Sequence, residues 1–382
     1  MYKLQNLDLD FFLKEYWQKK PCLIRQAFHH FESPISPEEL AGLACEKEGH
    51  SRLVLEKGGS KPWQLKYGPF EESDFLALPE THYSLLVSEC EKWVPEFSGL
   101  IEEFSFIPNW RIDDLMVSYA PAGGSVGPHN DEYDVFLLQS EGHRHWQYSD
   151  KRTTNLDLIP DTDLAILQKF EFDHEATLAP GDMLYLPPGV AHFGEAVDRC
   201  LTCSIGFRAP TATEVLESVA LEIDRAELGS KRYSDPLLET NRHPNEVTPF
   251  EMSQFKAMIT TLLDQPDALW QSAIGKLLSD GVMGETDEFD VPTEFDALSK
   301  YCWVKNVDSK MLYYLANDHL QFYCNGEMYQ LSATKAVIDV IQTLCSQRRL
   351  SPSLLNACAT IVPLEQLMLS LVNTRAILPE ED

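Results

Sequence analysis

Three things are scarce or missing in this chain of 382 residues. It has no apolar run near the roughly 18 residues that span a bilayer, and residues 1–20 mix charges with aromatics in place of a signal-peptide core. Positive charge is short: 31 Lys and Arg face 60 Asp and Glu, giving 31 − 60 = −29. A surface this acidic repels phosphate backbones and anionic lipid, which argues against nucleic-acid binding and membrane adhesion and favours a basic partner; the plainer reading is that the charge keeps the protein soluble. Cysteine is too sparse for a disulfide scaffold: nine residues, an odd number, are scattered from Cys22 to Cys358. The expectation is a cytoplasmic protein with reduced thiols. Cys200 and Cys203 form a CxxC, but in a strand-like stretch they face opposite ways, and no second pair completes a zinc site. Internal repeats and low-complexity tracts are also lacking.

What is present changes texture along the chain. Residues 1 to about 95 read as mixed helix and strand, with helical periodicity over Asp8 to Trp17 and a stop at Pro21. Between about 113 and 208, short Val/Leu/Tyr/Phe-rich pieces alternate with Gly/Pro turns: Leu115 to Tyr119, Tyr133 to Gln139, His143 to Tyr148, Met183 to Leu186 and Leu201 to Phe207. Such spacing suggests an antiparallel barrel or sandwich. After Pro210 the pattern turns helical over Thr213 to Leu228, and again after Thr248-Pro-Phe-Glu251, an N-cap with a capping-box Glu. Residues 284–296 are acidic and read as linker. The last segment, 301–382, pairs strand-like Met311 to Tyr314, Gln321 to Tyr323 and Glu327 to Leu331 with helices around Lys335 to Leu344 and Leu364 to Leu371, a pattern that fits a winged helix. Its charge is 6 − 8 = −2, a poor surface for nucleic acid.

The chemistry-bearing stretch begins at Gly123-Gly-Ser-Val-Gly-Pro-His129-Asn-Asp131. On a strand, His129 and Asp131 project from one face and can share an ion, although an HxD alone is common by chance. The second half is more specific. Gly181-x5-Pro187-x-Gly189-x2-His192 is the second cupin motif, and Gly123-x5-His129 begins the first. A double-stranded β-helix would bring the two halves together, making His129, Asp131 and His192 a two-histidine, one-carboxylate face. Such a face suits Fe(II), because three positions stay open. His143 and His145 form a rival HxH without any accompanying turn motif. Residues 144, 146 and 148 share the opposite face, placing Arg144 with Trp146 and Tyr148.

These motifs, with Val135 to Trp146, Tyr16-Trp-Gln-Lys-Lys-Pro21 and Gly206-Phe-Arg-Ala-Pro210, resemble the JmjC-type ribosomal oxygenases along essentially the whole chain. The resemblance implies a mainly β protein with α: a JmjC/cupin domain over 1–210 with its β-helix core at about 96–210, a helical dimerisation region over 211–283, an acidic linker over 284–300 and a winged helix over 301–382. It implies Fe(II), 2-oxoglutarate and O2 as cofactors, with His129, Asp131 and His192 as metal ligands. Arg144 would anchor the distal carboxylate of 2-oxoglutarate, with Ser118 beside it, and Asp114, Met116, Tyr133 and Ser204 would form the substrate pocket. The implied reaction is hydroxylation of the β-carbon of an arginine in large-subunit ribosomal protein L-sixteen, by a homodimer with no membrane or direct nucleic-acid partner. Ala196 stands where the second cupin motif has Asn, which weakens only a generic cupin reading.

The residues leave alternatives open. The same iron site would serve histidine hydroxylation or lysine demethylation, and Asp114 favours a cationic side chain without excluding either. Met116 and Tyr133 would equally suit ordinary barrel packing. A non-catalytic binding protein working through its winged helix needs a basic face that 301–382 does not display.

Overall fold

The computed structural model describes residues 2–56, 63–153, 157–160, 162–236, 243–281, 289, 291–316 and 318–380. The chain forms two compact units, 1–209 and 210–382. No helix among the described residues is long and apolar enough to cross a membrane.

The first unit is built on two antiparallel sheets. Its strands are β1 (Cys22–Ile24), β2 (Ser51–Glu56), β3 (Trp63–Tyr67), β4 (Tyr83–Val87), β5 (Ile112–Ala120), β6 (Asp134–Glu141), β7 (Arg144–Arg152), β8 (His174–Leu178), β9 (Met183–Leu186), β10 (Val190–Ala196) and β11 (Cys200–Phe207). Eight of them form one sheet in the order β1-β9-β6-β11-β5-β4-β2-β3, and β10-β7-β8 form the other. Central strands such as β6 and β11 are buried without alternation because both their faces are covered. Phe136 and Leu138 of β6 enter the core under the N-terminal helices, whereas Val135 and Leu137 face Trp146, Tyr148, Leu178, Leu184 and Leu186 in a second cluster. That second cluster joins the large sheet to the small one.

A buried polar network ties the N-terminal segment to the start of β6. Arg111 donates to Asp134 at 2.9 Å, Tyr185 donates to the other Asp134 oxygen at 2.6 Å, and the Gln18 amide reaches Asp134 at 3.0 Å. Asp134 is fully buried, so removing Arg111 would leave an uncompensated charge costing about 3–5 kcal/mol. At Gly181, in the turn before β9, φ is +87° and a Cβ would lie 2.2 Å from the Phe28 carbonyl oxygen, so only glycine fits.

The expected elements shift in places. The first helix spans only Leu9–Glu15, capped by Asp8, which accepts from the Phe11 N–H. Two strands with no strong apolar run, β8 and β10, were not expected as strands. The expected helix over Thr213 to Leu228 runs over Ala212–Arg225 behind a Thr211/Glu214 capping box and passes into a 3-10 turn at Leu228–Ser230.

The second unit contains helices Ala212–Arg225, Pro249–Leu263 and Asp267–Ser279, then two three-stranded antiparallel sheets and helices Lys335–Ser346, Pro352–Cys358 and Val362–Asn373. The Thr248/Glu251 capping box opens its helix as the sequence suggests. Much of the expected acidic linker lies outside the described residues. Of the rest, Phe289, Val291 and Phe295 pack on the core around Leu298, Trp303 and Leu371.

Candidate active site

His129 and Asp131 do not sit on a regular strand, which corrects the sequence-based expectation. They lie in the segment between β5 and β6, and His129 meets β10 through an isolated antiparallel bridge to His192. His129 N–H donates to the His192 carbonyl at 3.0 Å, and His192 N–H returns the bond at 2.8 Å. The Gly-rich run ahead of His129 lets the backbone depart from strand geometry, with φ of +74° at Gly123 and +81° at Gly127. The shared-face argument for His129, Asp131 and Tyr133 therefore fails in its geometry, yet the ligand cluster forms.

His129 Nε2 lies 3.8 Å from Asp131 Oδ2, and His192 Nε2 lies 3.6 Å from the same oxygen. All three donor atoms fall within 4.8 Å of one another, the one such group among the described residues. Both imidazoles are pinned through Nδ1: His129 to the Gly127 carbonyl at 2.9 Å, His192 to the Val190 carbonyl at 3.0 Å. A carbonyl can only accept, so each Nδ1 carries the hydrogen and each Nε2 offers its lone pair. Burial, reinforced by His129, pulls the His192 pKa down to about 4, which keeps that ring neutral and ready to ligate. Two imidazoles and one carboxylate without thiolate suit a divalent iron with open positions.

Across the small sheet, β7 and β10 pair Arg144 with Ala196, Trp146 with Gly194 and Tyr148 with His192. Arg144, Trp146 and Tyr148 are all buried on one face, as alternation predicts. Arg144 is 3% exposed, and no carboxylate among the described residues pairs with it. Its Nη1 donates weakly, at 3.4 Å, to Ser118 Oγ and to Thr202 Oγ1, and its Nε has no partner. Burial pulls its pKa down from the ordinary value. An unpaired cation in such a place is costly unless an anion joins it, so the site fits a carboxylate-bearing cosubstrate. Thr202, opposite Ser118 on β11, and Gln139, which accepts from the Thr202 hydroxyl at 3.2 Å, are members that sequence reasoning missed. The period-2 signal was available: Thr202 is two residues from Ser204 on the same strand face.

Asp114, Met116 and Ser118 do share one face of β5, while Leu115 and Val117 on the other enter the core. Ser204 pairs directly with Met116. Burial, with Asp113 adding repulsion, pushes the Asp114 carboxyl up to about 6 against a hydrogen bond from the Glu89 N–H. Behind it, burial holds Glu91 at about 7 although its carboxylate accepts the Leu115 N–H at 3.0 Å. Burial, with the charges of Asp131 and Asp114, raises the Tyr133 phenol. Arg52, unforeseen from sequence, projects from β2 onto this face and donates to Met116 Sδ at 3.6 Å; its charge lowers the Asp114 pKa. The rival pair does not assemble: His143 bonds Asp198 at 2.8 Å, while His145 turns to Thr177 at 3.1 Å.

Comparison with known proteins gives the family. Residues 99–215 match the JmjC domain. The ribosomal protein uL16 3-hydroxylase of Escherichia coli is 43% identical over 256 residues, 67% of each chain, and a probable ribosomal oxygenase of Haemophilus influenzae is 32% identical over 336 residues, 85% of this chain and 82% of that one. The chain belongs to the JmjC-type ribosomal oxygenases. The oxygenase also superposes along its full length on E. coli YcfD, a ribosomal oxygenase solved with cobalt and 2-oxoglutarate, at a TM-score of 0.82 and 33% identity, covering 100% of both chains. The architecture of this oxygenase is the JmjC/cupin fold, mainly β with helices.

Proposed function

We propose that this oxygenase uses Fe(II), 2-oxoglutarate and O2 to hydroxylate the β-carbon of an arginine in ribosomal protein uL16, in the cytoplasm. The observation that carries the reading is one small sheet in which β10 holds His192 of the three-donor metal cluster and β7, four residue pairs along, holds the buried Arg144 with its Nε unpartnered. The uL16 3-hydroxylase likeness supplies the substrate.

When bound, iron with 2-oxoglutarate and O2 supplies the oxidant that inserts oxygen into a C–H bond, releasing succinate and carbon dioxide. The protein's work is placement. His129, Asp131 and His192 hold the metal and leave the rest of its sphere open. Arg144, with Ser118 and Thr202 orienting its fork, grips the distal carboxylate. On the substrate side, Asp114 pairs with the guanidinium while Met116 and Tyr133 flank the methylene stem and Ser204 sits alongside. Leu184, Leu186 and Val190 keep water from the reacting centre.

In the same proposal, residues 1–210 are the catalytic domain, 211–283 a dimerisation region, 284–300 a connection whose Phe289, Val291, Phe295 and Leu298 pack with the last domain, and 301–382 a winged helix. The dimer is supported by helix Pro249–Leu263, none of whose residues is buried and which exposes Met252, Phe255 and Ile259 at helical spacing. The −29 charge suits a basic ribosomal protein rather than RNA.

The test is incubation of the protein with Fe(II), 2-oxoglutarate and peptides covering uL16, read by mass spectrometry and succinate release. One added oxygen, mapped to an arginine β-carbon, is expected. Oxygen on histidine, loss of a lysine methyl group, or no succinate would each replace this reading.

A further inference from the structure

Next to Arg144 lies another buried donor with no acceptor. Trp146 is 5% exposed, and its indole N–H and Arg144 Nε are the two buried side-chain nitrogens left without a partner among the described residues. A phenylalanine would fill the same space without burying an orphan N–H, so the indole calls for a ligand acceptor.

The register says where that acceptor lies. The Trp146–Gly194 pair sits between the Arg144–Ala196 and Tyr148–His192 pairs. The indole ring is 5.4 Å from the Arg144 guanidinium carbon and 5.8 Å from the His192 ring, so it spans the gap between carboxylate anchor and metal ligand. Gly194 fixes its orientation. A Cβ there would meet Cζ3, Cη2 and Cε3 of the ring at 2.6–2.8 Å, so the benzo edge lies on the Gly194 backbone and the N–H edge turns away from it. A dicarboxylate held at one end by Arg144 and at the other by the metal must pass this edge, and its oxygens are strong acceptors.

We propose that Trp146 is a cosubstrate-binding residue whose indole N–H donates to an oxygen of the dicarboxylate held between Arg144 and the His129, Asp131, His192 cluster. The proposal rests on Arg144 being the anchor. It makes Trp146 a recognition element for any dicarboxylate seated there, the succinate product included.

The experiment uses the full chain, ¹⁵N-labelled at tryptophan and loaded with diamagnetic Zn(II). Seven tryptophans give seven indole N–H signals, and Trp146→Phe removes and so assigns one; Trp146→Tyr serves if the Phe variant fails to fold. On titration with 2-oxoglutarate, the Trp146 signal should move downfield and exchange more slowly with solvent, and the variant should bind roughly tenfold more weakly. If 2-oxoglutarate binds with Trp146 unmoved and affinity unchanged in the variant, the proposal fails and the anchor stands. If wild type does not bind 2-oxoglutarate, or Arg144→Met binds it as well as wild type, anchor and proposal fall together.

Discussion

His129 and His192 are joined by a reciprocal pair of backbone hydrogen bonds, 3.0 and 2.8 Å, that depends on neither side chain. The metal cluster is thus assembled by main chain, and its side chains are free to be exchanged without dismantling it. His129→Ala and Asp131→Ala should abolish 2-oxoglutarate turnover and the thermal shift caused by Mn(II), while circular dichroism stays that of wild type. Full turnover in either variant would remove both residues from the metal site.

Arg144 predicts opposite signs for stability and binding. Its guanidinium is buried without a carboxylate, so Arg144→Met should leave the ligand-free protein no less stable than wild type in urea. In wild type, 2-oxoglutarate at a hundred times its Kd should add about 2.7 kcal/mol, and in the variant nothing. A variant that loses stability without ligand but keeps the 2-oxoglutarate effect would mark Arg144 as structural only.

Gly194 tests the close approach beneath Trp146. Gly194→Ala puts a methyl group into the indole, so the ring or the β10 backbone must move. The expected cost is about 1–3 kcal/mol in denaturant unfolding, together with weaker 2-oxoglutarate binding. Wild-type values for both would show that the ring is free to shift.

The acidic pocket should give two pH signatures. Asp114 is held at about 6, so capture of a cationic substrate is lost as pH falls through that value, seen as an acid limb in kcat/KM for the arginine peptide. Because the Arg52 charge lowers that pKa, Arg52→Gln should move the limb to higher pH, which a limb set by the histidines would not do.

Stability should run the other way. Glu91, raised to about 7, binds more protons folded than unfolded, so its contribution is full below the ordinary carboxyl range and is lost as pH rises to about 7. Glu91→Gln should flatten the fall in urea midpoint between pH 5 and 7, and an unchanged slope would contradict the burial argument.

Several parts of the site could be read in advance, and for physical reasons. Strand alternation put Arg144, Trp146 and Tyr148 on one face and Asp114, Met116 and Ser118 on another, because period 2 is a property of the backbone itself. The same logic led astray at His129 and Asp131, where positive-φ glycines break the strand. The weakly apolar β8 and β10 were missed because what makes them strands is pairing with β7, a long-range relation that their own residues do not signal.

By itself the sequence determined the donor types, the turn glycines, the acidic balance and the alternating faces, all local consequences of side-chain chemistry and backbone sterics. Only the tertiary structure decided that the His129 segment docks on β10, that Thr202 and Gln139 stand behind Arg144, that Arg52 reaches Met116, and that Trp146 keeps an unanswered N–H. The bonds among them join residues from 58 to 64 positions apart, which no local pattern encodes; they follow from the pairing of strands and the exclusion of water between two sheets.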